Sequence, residues 1–208
     1  MSPETRLAER VAAVVAAEVR RLGLEGVALA SPPGPGSDLL ARWLSPVGRV
    51  GTPDPGAVSD VAGALAAAGA PGAAVEGLAW RAVADALAAA ERLLPVAATD
   101  KTGLLLDPAP LPARVVPLGD VWATTVRALA GRATLPPVLA HARPQDVERV
   151  EAALRAYLEE GLGPDAAFAA LGPLGGPVRR ALDAAEGRRR GLLVPKLEAW
   201  TVGADLAR

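Results

Sequence analysis

Gly34, Gly36 and Ser37 lie in the stretch SPPGPGSDLL (31–40), between the short apolar run GVALA and a helix-like segment. A glycine-rich turn from strand to helix offers backbone N–H groups to a phosphate. Pro32, Pro33 and Pro35 crowd the same turn, and each removes one of those donors. The stretch therefore reads either as a phosphate cradle or as a proline-stiffened connection in which Ser37 merely caps a helix. Thr99, Lys101 and Thr102 in TDKTG (99–103) follow another short apolar run. They suit a phosphate or an adenine edge, or else form a solvated loop. Arg188, Arg189 and Arg190 in GRRRG (187–191) suit a polyphosphate or carboxylate cluster. They equally complement the dipole at a helix C-terminus. His141 is the sole histidine and reads as a surface residue ahead of a helix, and a site needing two imidazoles is excluded. The absence of cysteine excludes disulfides, thiolate metal sites and cysteine nucleophiles.

These residues need elements to hold them. Ser2-Pro3-Glu4 is a helix start, and Leu7, Val11, Val14, Val15, Val19 and Leu22 then keep to one face until Gly23. EGVALAS (25–31), GRVGTP (48–53), GAAVEG (72–77) and PVAAT (95–99) read as short buried strands. Helices are expected over 38–44, 57–69 and 78–94, so the first half alternates strand and helix. Apolar strands without alternation imply a parallel sheet covered on both faces. ARVVPL (113–118) is short and extended. Helices follow at about 119–130, 144–161, 164–171 and 176–189, and the tail GLLVPKLEAWTVGADLAR ends as a loop or an exchanged arm. The expected fold is thus α/β, with a parallel sheet of about five strands, helices on both faces and a helical C-terminal part, all in one domain spanning 1–208. Ligands bind such sheets at the carboxyl ends of the strands, which places 31–38, 51–55, 76–81 and 99–107 on one rim.

Hydrophobic residues make up 51% of the chain, enough for a full core, and the aromatic share of 3% makes that core one of Leu, Val and Ala. A formal net charge of −1 supplies no global field for nucleic acid or membrane, so neither is expected as a partner. The charged start MSPETRLAER does not read as a signal peptide, and the apolar run Val61–Val75 is broken by Pro71. A cytoplasmic protein is expected. Arginine greatly outnumbers lysine, which occurs only at positions 101 and 196, and this points to a GC-rich, thermophilic source.

Taken in order, the segments resemble the NAD synthetase family of ammonia-dependent, N-type ATP pyrophosphatases. SPPGPGSD is similar to the SGGxDS loop of that family, with Gly34 on the second glycine, Gly36 on the aspartate and Ser37 on the final serine. WRAVADALAAAERLLPVAATDKTGLLL resembles the R-M helix, strand and T-x-N-K-[ST]-E segment: Arg81, Thr99, Lys101 and Thr102 match, Asp100 replaces the asparagine and Gly103 the glutamate. VVPLGDVWATTVRALAG resembles P-[IL]-x-[DH]-L-Y-K-T-x-V; Pro117, Asp120, Thr124 and Val126 keep the pattern, and Ala123 stands where lysine belongs. EGRRRGLLVPKL is similar to the basic segment near the family's C-terminus. The resemblance covers roughly residues 24 to 197.

The resemblance implies an adenine nucleotide hydrolase-like fold and a homodimer. It also implies nucleotide binding through Gly34, Gly36, Ser37, Arg81, Thr99, Lys101 and Thr124, with Arg188–Arg190 toward the substrate. The departures gather where ATP and magnesium would sit: glycine at 36 and 103 in place of the two metal-holding acids, Ala123 in place of the phosphate lysine, and Ala79 in place of the first arginine of the helix motif. The chain therefore reads first as an eroded, catalytically silent relative with no certain cofactor and at most weak nucleotide binding. The alternative is a divergent active synthetase using ATP and magnesium, with Asp38, Asp54 or Asp107 holding the metal. A third reading is an unrelated α/β binding protein.

Overall fold

The computed structural model describes residues 2–109, 111, 113, 115–186, 192 and 194. Helix α1 (Pro3–Leu22) begins as its sequence implies, with Ser2 Oγ accepting the Thr5 N–H at 3.1 Å, and ends at Gly23 in the left-handed region (φ 65°). The chain then forms β1 (Gly26–Leu29), α2 (Pro35–Leu44), β2 (Arg49–Gly51), α3 (Pro55–Ala67), α4 (Gly72–Glu91) and β3 (Leu93–Val96). The remaining helices are α5 (Lys101–Leu106), α6 (Ala123–Ala130), α7 (Pro144–Leu158), α8 (Pro164–Ala169) and α9 (Gly175–Ala185).

The fold is α/β and mostly helical. The sheet holds three parallel strands among the described residues, in the order β2-β1-β3, rather than about five. Two expected strands account for the difference. GAAVEG (72–77) is the first part of α4: alanine, glycine and glutamate are poor strand formers, and Pro71 starts a helix that runs 20 residues. Among its described residues, ARVVPL contributes one parallel bridge, Val96 to Val115, beside Ala97 N–H donating to the Val115 carbonyl at 2.8 Å.

Period-two alternation assigns the faces. Val27 and Leu29 of β1, with Leu94 and Val96 of β3, pack against Val11, Val15 and Val19 of α1 and against Leu39, Leu40, Trp43 and Leu44 of α2. Ala28 and Leu93 face the other way, onto Ala88 of α4. Leu87 of α4 packs against the same cluster. A further core joins Leu104–Leu106 of α5 and Trp122 to Val150, Ala153 and Leu154 of α7, Phe168 of α8, and Val178 and Leu182 of α9. The helical second half thus closes over the carboxyl end of β3. Among the described residues, no helix is long and apolar enough to cross a membrane.

Candidate functional site

β1 leaves the sheet through α2 toward β2 on one side, and β3 leaves it toward Val115 on the other. The two chains part at their carboxyl ends, and that divergence opens a crevice, the usual place for a ligand in a doubly wound sheet. A cleft of about 430 Å³ lies there, walled by residues 31–34, Gly36 and Ser37 after β1, Ala98, Thr99, Asp100 and Gly103 after β3, Glu76 and Gly77 of α4, Asp107, and residues 134–136.

Two hydrogen bonds hold the rims. Ser31 Oγ accepts the Ala98 N–H at 2.8 Å and ties the two strand exits together. Ser37 Oγ donates to the Pro32 carbonyl at 2.7 Å and closes its own loop. Ser37 is therefore not a helix cap. α2 begins earlier, at Pro35, with Gly34 as its cap residue and Ser37 inside the first turn. The first N–H with a carbonyl partner in this helix is that of Asp38, to Gly34 at 2.8 Å; the N–H groups of Gly36 and Ser37 precede it and have no acceptor within the helix. Pro35 has no N–H to offer, and the N–H of the cap residue Gly34 stands ahead of it. Within its first helical turn the loop keeps two of the donors that a phosphate cradle would use, Gly36 and Ser37.

Gly36 packs directly on the β3 exit. A Cβ built there would lie 2.6 Å from the Ala98 carbonyl oxygen. The acid implied at this position by the resemblance is sterically barred in the present backbone. At Gly103 a Cβ would meet Thr99 Cγ2 at 3.2 Å and Asp100 Oδ1 at 3.4 Å, a tight but adjustable contact. Ala123, at the position of the expected lysine, is fully buried, and its N–H donates to Thr102 Oγ1 at 3.1 Å. Of the three substitute acids, only Asp107 reaches the cleft. Asp54 caps α3 through the Ala57 N–H at 2.8 Å, and Asp38 is exposed on α2 outside the cleft wall. No group of three metal-ligating side chains forms among the described residues. The described residues of the cleft do not fit a magnesium-triphosphate: they include no cationic side chain and no assembled group of metal ligands.

The structure brings Gly34, Gly36, Ser37 and Thr99 together on the cleft and places the other expected nucleotide ligands elsewhere. Arg81 is half exposed on α4 and pairs with Asp85 at 3.6 Å. TDKTG is not a solvated loop: Lys101 opens α5 and is 1% exposed. Its Nζ lies 3.2 Å from Asp120 Oδ1 and 3.1 Å from Glu159 Oε1, and 4.7 Å from the Trp122 ring centroid, whose ring also carries the Arg155 guanidinium at 5.0 Å. Thr124 donates through Oγ1 to Glu151 Oε2 at 2.5 Å, and Thr102 donates to Glu151 Oε1 at 2.5 Å. Lys101 with Asp120 and Glu159, and Thr102 and Thr124 with Glu151, form two neighbouring polar clusters, largely buried, and the second joins α5, α6 and α7. Arg188, Arg189 and Arg190, the end of the helix expected at 176–189, and the tail from 195 lie outside the described residues.

Sequence reasoning passed over Asp100 as a mere replacement for asparagine. It is 6% exposed, caps α5 through the Gly103 N–H at 2.8 Å and forms part of the cleft wall. Burial pushes its carboxyl up to about 7; the Glu151 charge adds to the rise, and the hydrogen bonds from the Gly103 and Thr102 backbone oppose it. A strongly shifted acid in a crevice is a mark of a functional position. The signal that could have revealed it is an aspartate directly after a buried strand and before an apolar helical run. Glu76 lies within the stretch 76–81 expected on the rim, although it reaches the cleft from the first turns of α4 and not from the end of a strand; residues 134–136 had no such signal. No family model and no curated protein matches the chain.

Proposed function

We propose that the chain is a NAD synthetase-like binding protein that holds a small polar ligand in the cleft between the β1 and β3 exits and does not adenylate a substrate. One observation carries the reading: the charged side chains of the described cleft wall are Glu76, Asp100 and Asp107, all acids. Adenylation requires cations on the phosphates as pyrophosphate leaves, and that electrostatic support is usually the largest part of the catalysis. Lys101 is committed to Asp120 and Glu159, and Arg81 stands outside the wall. Two N–H donors at the start of α2 sustain weak anion or nucleotide binding at most.

A coupled NADH assay with ATP, magnesium, ammonia and the deamido dinucleotide tests this, alongside calorimetry with ATP and magnesium. The expected results are no NAD formation and no tight binding. Turnover abolished by Asp107→Ala would overturn the proposal in favour of a divergent active synthetase, for which Asp107 on the cleft wall is the supporting observation.

A further inference from the structure

A second cavity, of about 550 Å³, lies beside the cleft and shares Asp107 and Ala109 with it. Its walls come from four places in the chain: Pro71 and Ala74 at the start of α4, Leu106 at the end of α5, Pro137 and Val138 in the turn before α7, and Ala181 on α9. Most of the wall is apolar. Several of its residues are prolines, whose fixed φ leaves the shape largely set before anything binds and lowers the ordering cost of binding. The volume falls within the roughly 300–1,000 Å³ typical of small-molecule sites.

Among the described residues, the wall carries one acid and one base, Asp107 and Arg180. They form no ion pair with each other among the ion pairs of the described residues. Asp107 Oδ1 accepts the Ala109 N–H at 2.9 Å, which fixes the carboxylate at the junction of the two cavities. Arg180 is exposed on α9. An apolar chamber bordered by two separate charges of opposite sign complements a molecule that carries both charges on an apolar body. A guanidinium takes a carboxylate through two parallel hydrogen bonds, and a fixed carboxylate takes an ammonium.

We propose that this cavity binds an amphiphilic zwitterion, a small molecule with a carboxylate held by Arg180, an ammonium held by Asp107 and an apolar group seated among Ala74, Leu106, Pro137 and Ala181. The hydrophobic α-amino acids are the simplest members of the class. This site does not depend on the nucleotide resemblance, which assigns nothing to Arg180 or to the start of α4.

The test uses the full chain, labelled for amide NMR, titrated with L-tryptophan, tryptamine and indole-3-propionate. L-Tryptophan is expected to shift the amides of Ala74 and Ala181, and the two analogues, each lacking one charge, should bind at least tenfold more weakly. Arg180→Ala should abolish the preference over tryptamine, and Asp107→Asn the preference over indole-3-propionate. Both residues lie outside the buried core, and an unchanged amide spectrum away from the cavity confirms that each variant is folded. Ala74→Trp, which fills the chamber from the start of α4, should prevent binding. Equal affinity for the three probes would overturn the proposal. So would shifts confined to Gly36 and Thr99 in the neighbouring cleft, or no binding of L-tryptophan at millimolar concentration. None of these outcomes bears on whether the cleft supports NAD formation, so the two readings fail separately.

Discussion

Replacing Asp100 by asparagine should stabilise the protein at pH 8 and leave it nearly unchanged at pH 4. The Asp100 carboxyl moves from its ordinary 3.8 to about 7 in the folded chain. Between those values the folded state keeps a proton that the unfolded state has lost, so wild-type stability falls as pH rises through this window and is flat above it. At about 1.4 kcal/mol for each pH unit, the loss from this one group is on the order of 4 kcal/mol. Asparagine has no charge to bury, and its side-chain oxygen can still accept the Gly103 N–H that Asp100 Oδ1 takes at 2.8 Å. The advantage of the variant should therefore grow from about zero near pH 4 to its full value above pH 7. Urea unfolding followed by tryptophan fluorescence would read it, since Trp43, Trp80 and Trp122 are buried. With a slope of about 2 kcal/mol per molar urea, the midpoint at pH 8 should rise by about 2 M. An equal effect at both pH values, or a destabilised variant at pH 8, would refute the assignment of burial as the cause.

Gly36→Asp, which restores the acid implied by the resemblance, should destabilise the fold by about 1–3 kcal/mol, because its Cβ meets the Ala98 carbonyl oxygen at 2.6 Å, and it should not create magnesium-dependent ATP binding in calorimetry. Lys101→Met should cost about 3–5 kcal/mol by taking the cation away from the fully buried Asp120 carboxylate, seen as a lowered melting temperature without any ligand; an unchanged melting temperature with weakened nucleotide binding would return Lys101 to the ligand site. Light scattering at micromolar concentration should give the mass of the homodimer implied by the resemblance, and a monomer would remove that expectation.

The first helix was legible from its residues alone, because its start, its apolar face and its terminating glycine are all local features: Ser2 caps, Val11, Val15 and Val19 recur at helical spacing, and only glycine easily adopts the conformation at 23. The same holds for the central strand and for the crevice above it, since GVAL is an apolar run followed at once by a proline- and glycine-rich turn. The segment GAAVEG was misread because a short run of small and apolar residues before a glycine looks like a buried strand, whereas its alanines favour helix and it continues without a break into the helix that follows. The role of Lys101 was equally out of reach. A lysine after a strand looks like a ligand for phosphate, and only the arrival of Asp120, Glu159 and Trp122, 19, 58 and 21 positions along the chain, turns it into the centre of a buried network. The raised carboxyl of Asp100 and the opposed charges of Asp107 and Arg180 belong to the same class. Each depends on what surrounds a side chain in space, and neither burial nor the distance between two charges is written in the residue types that produce them.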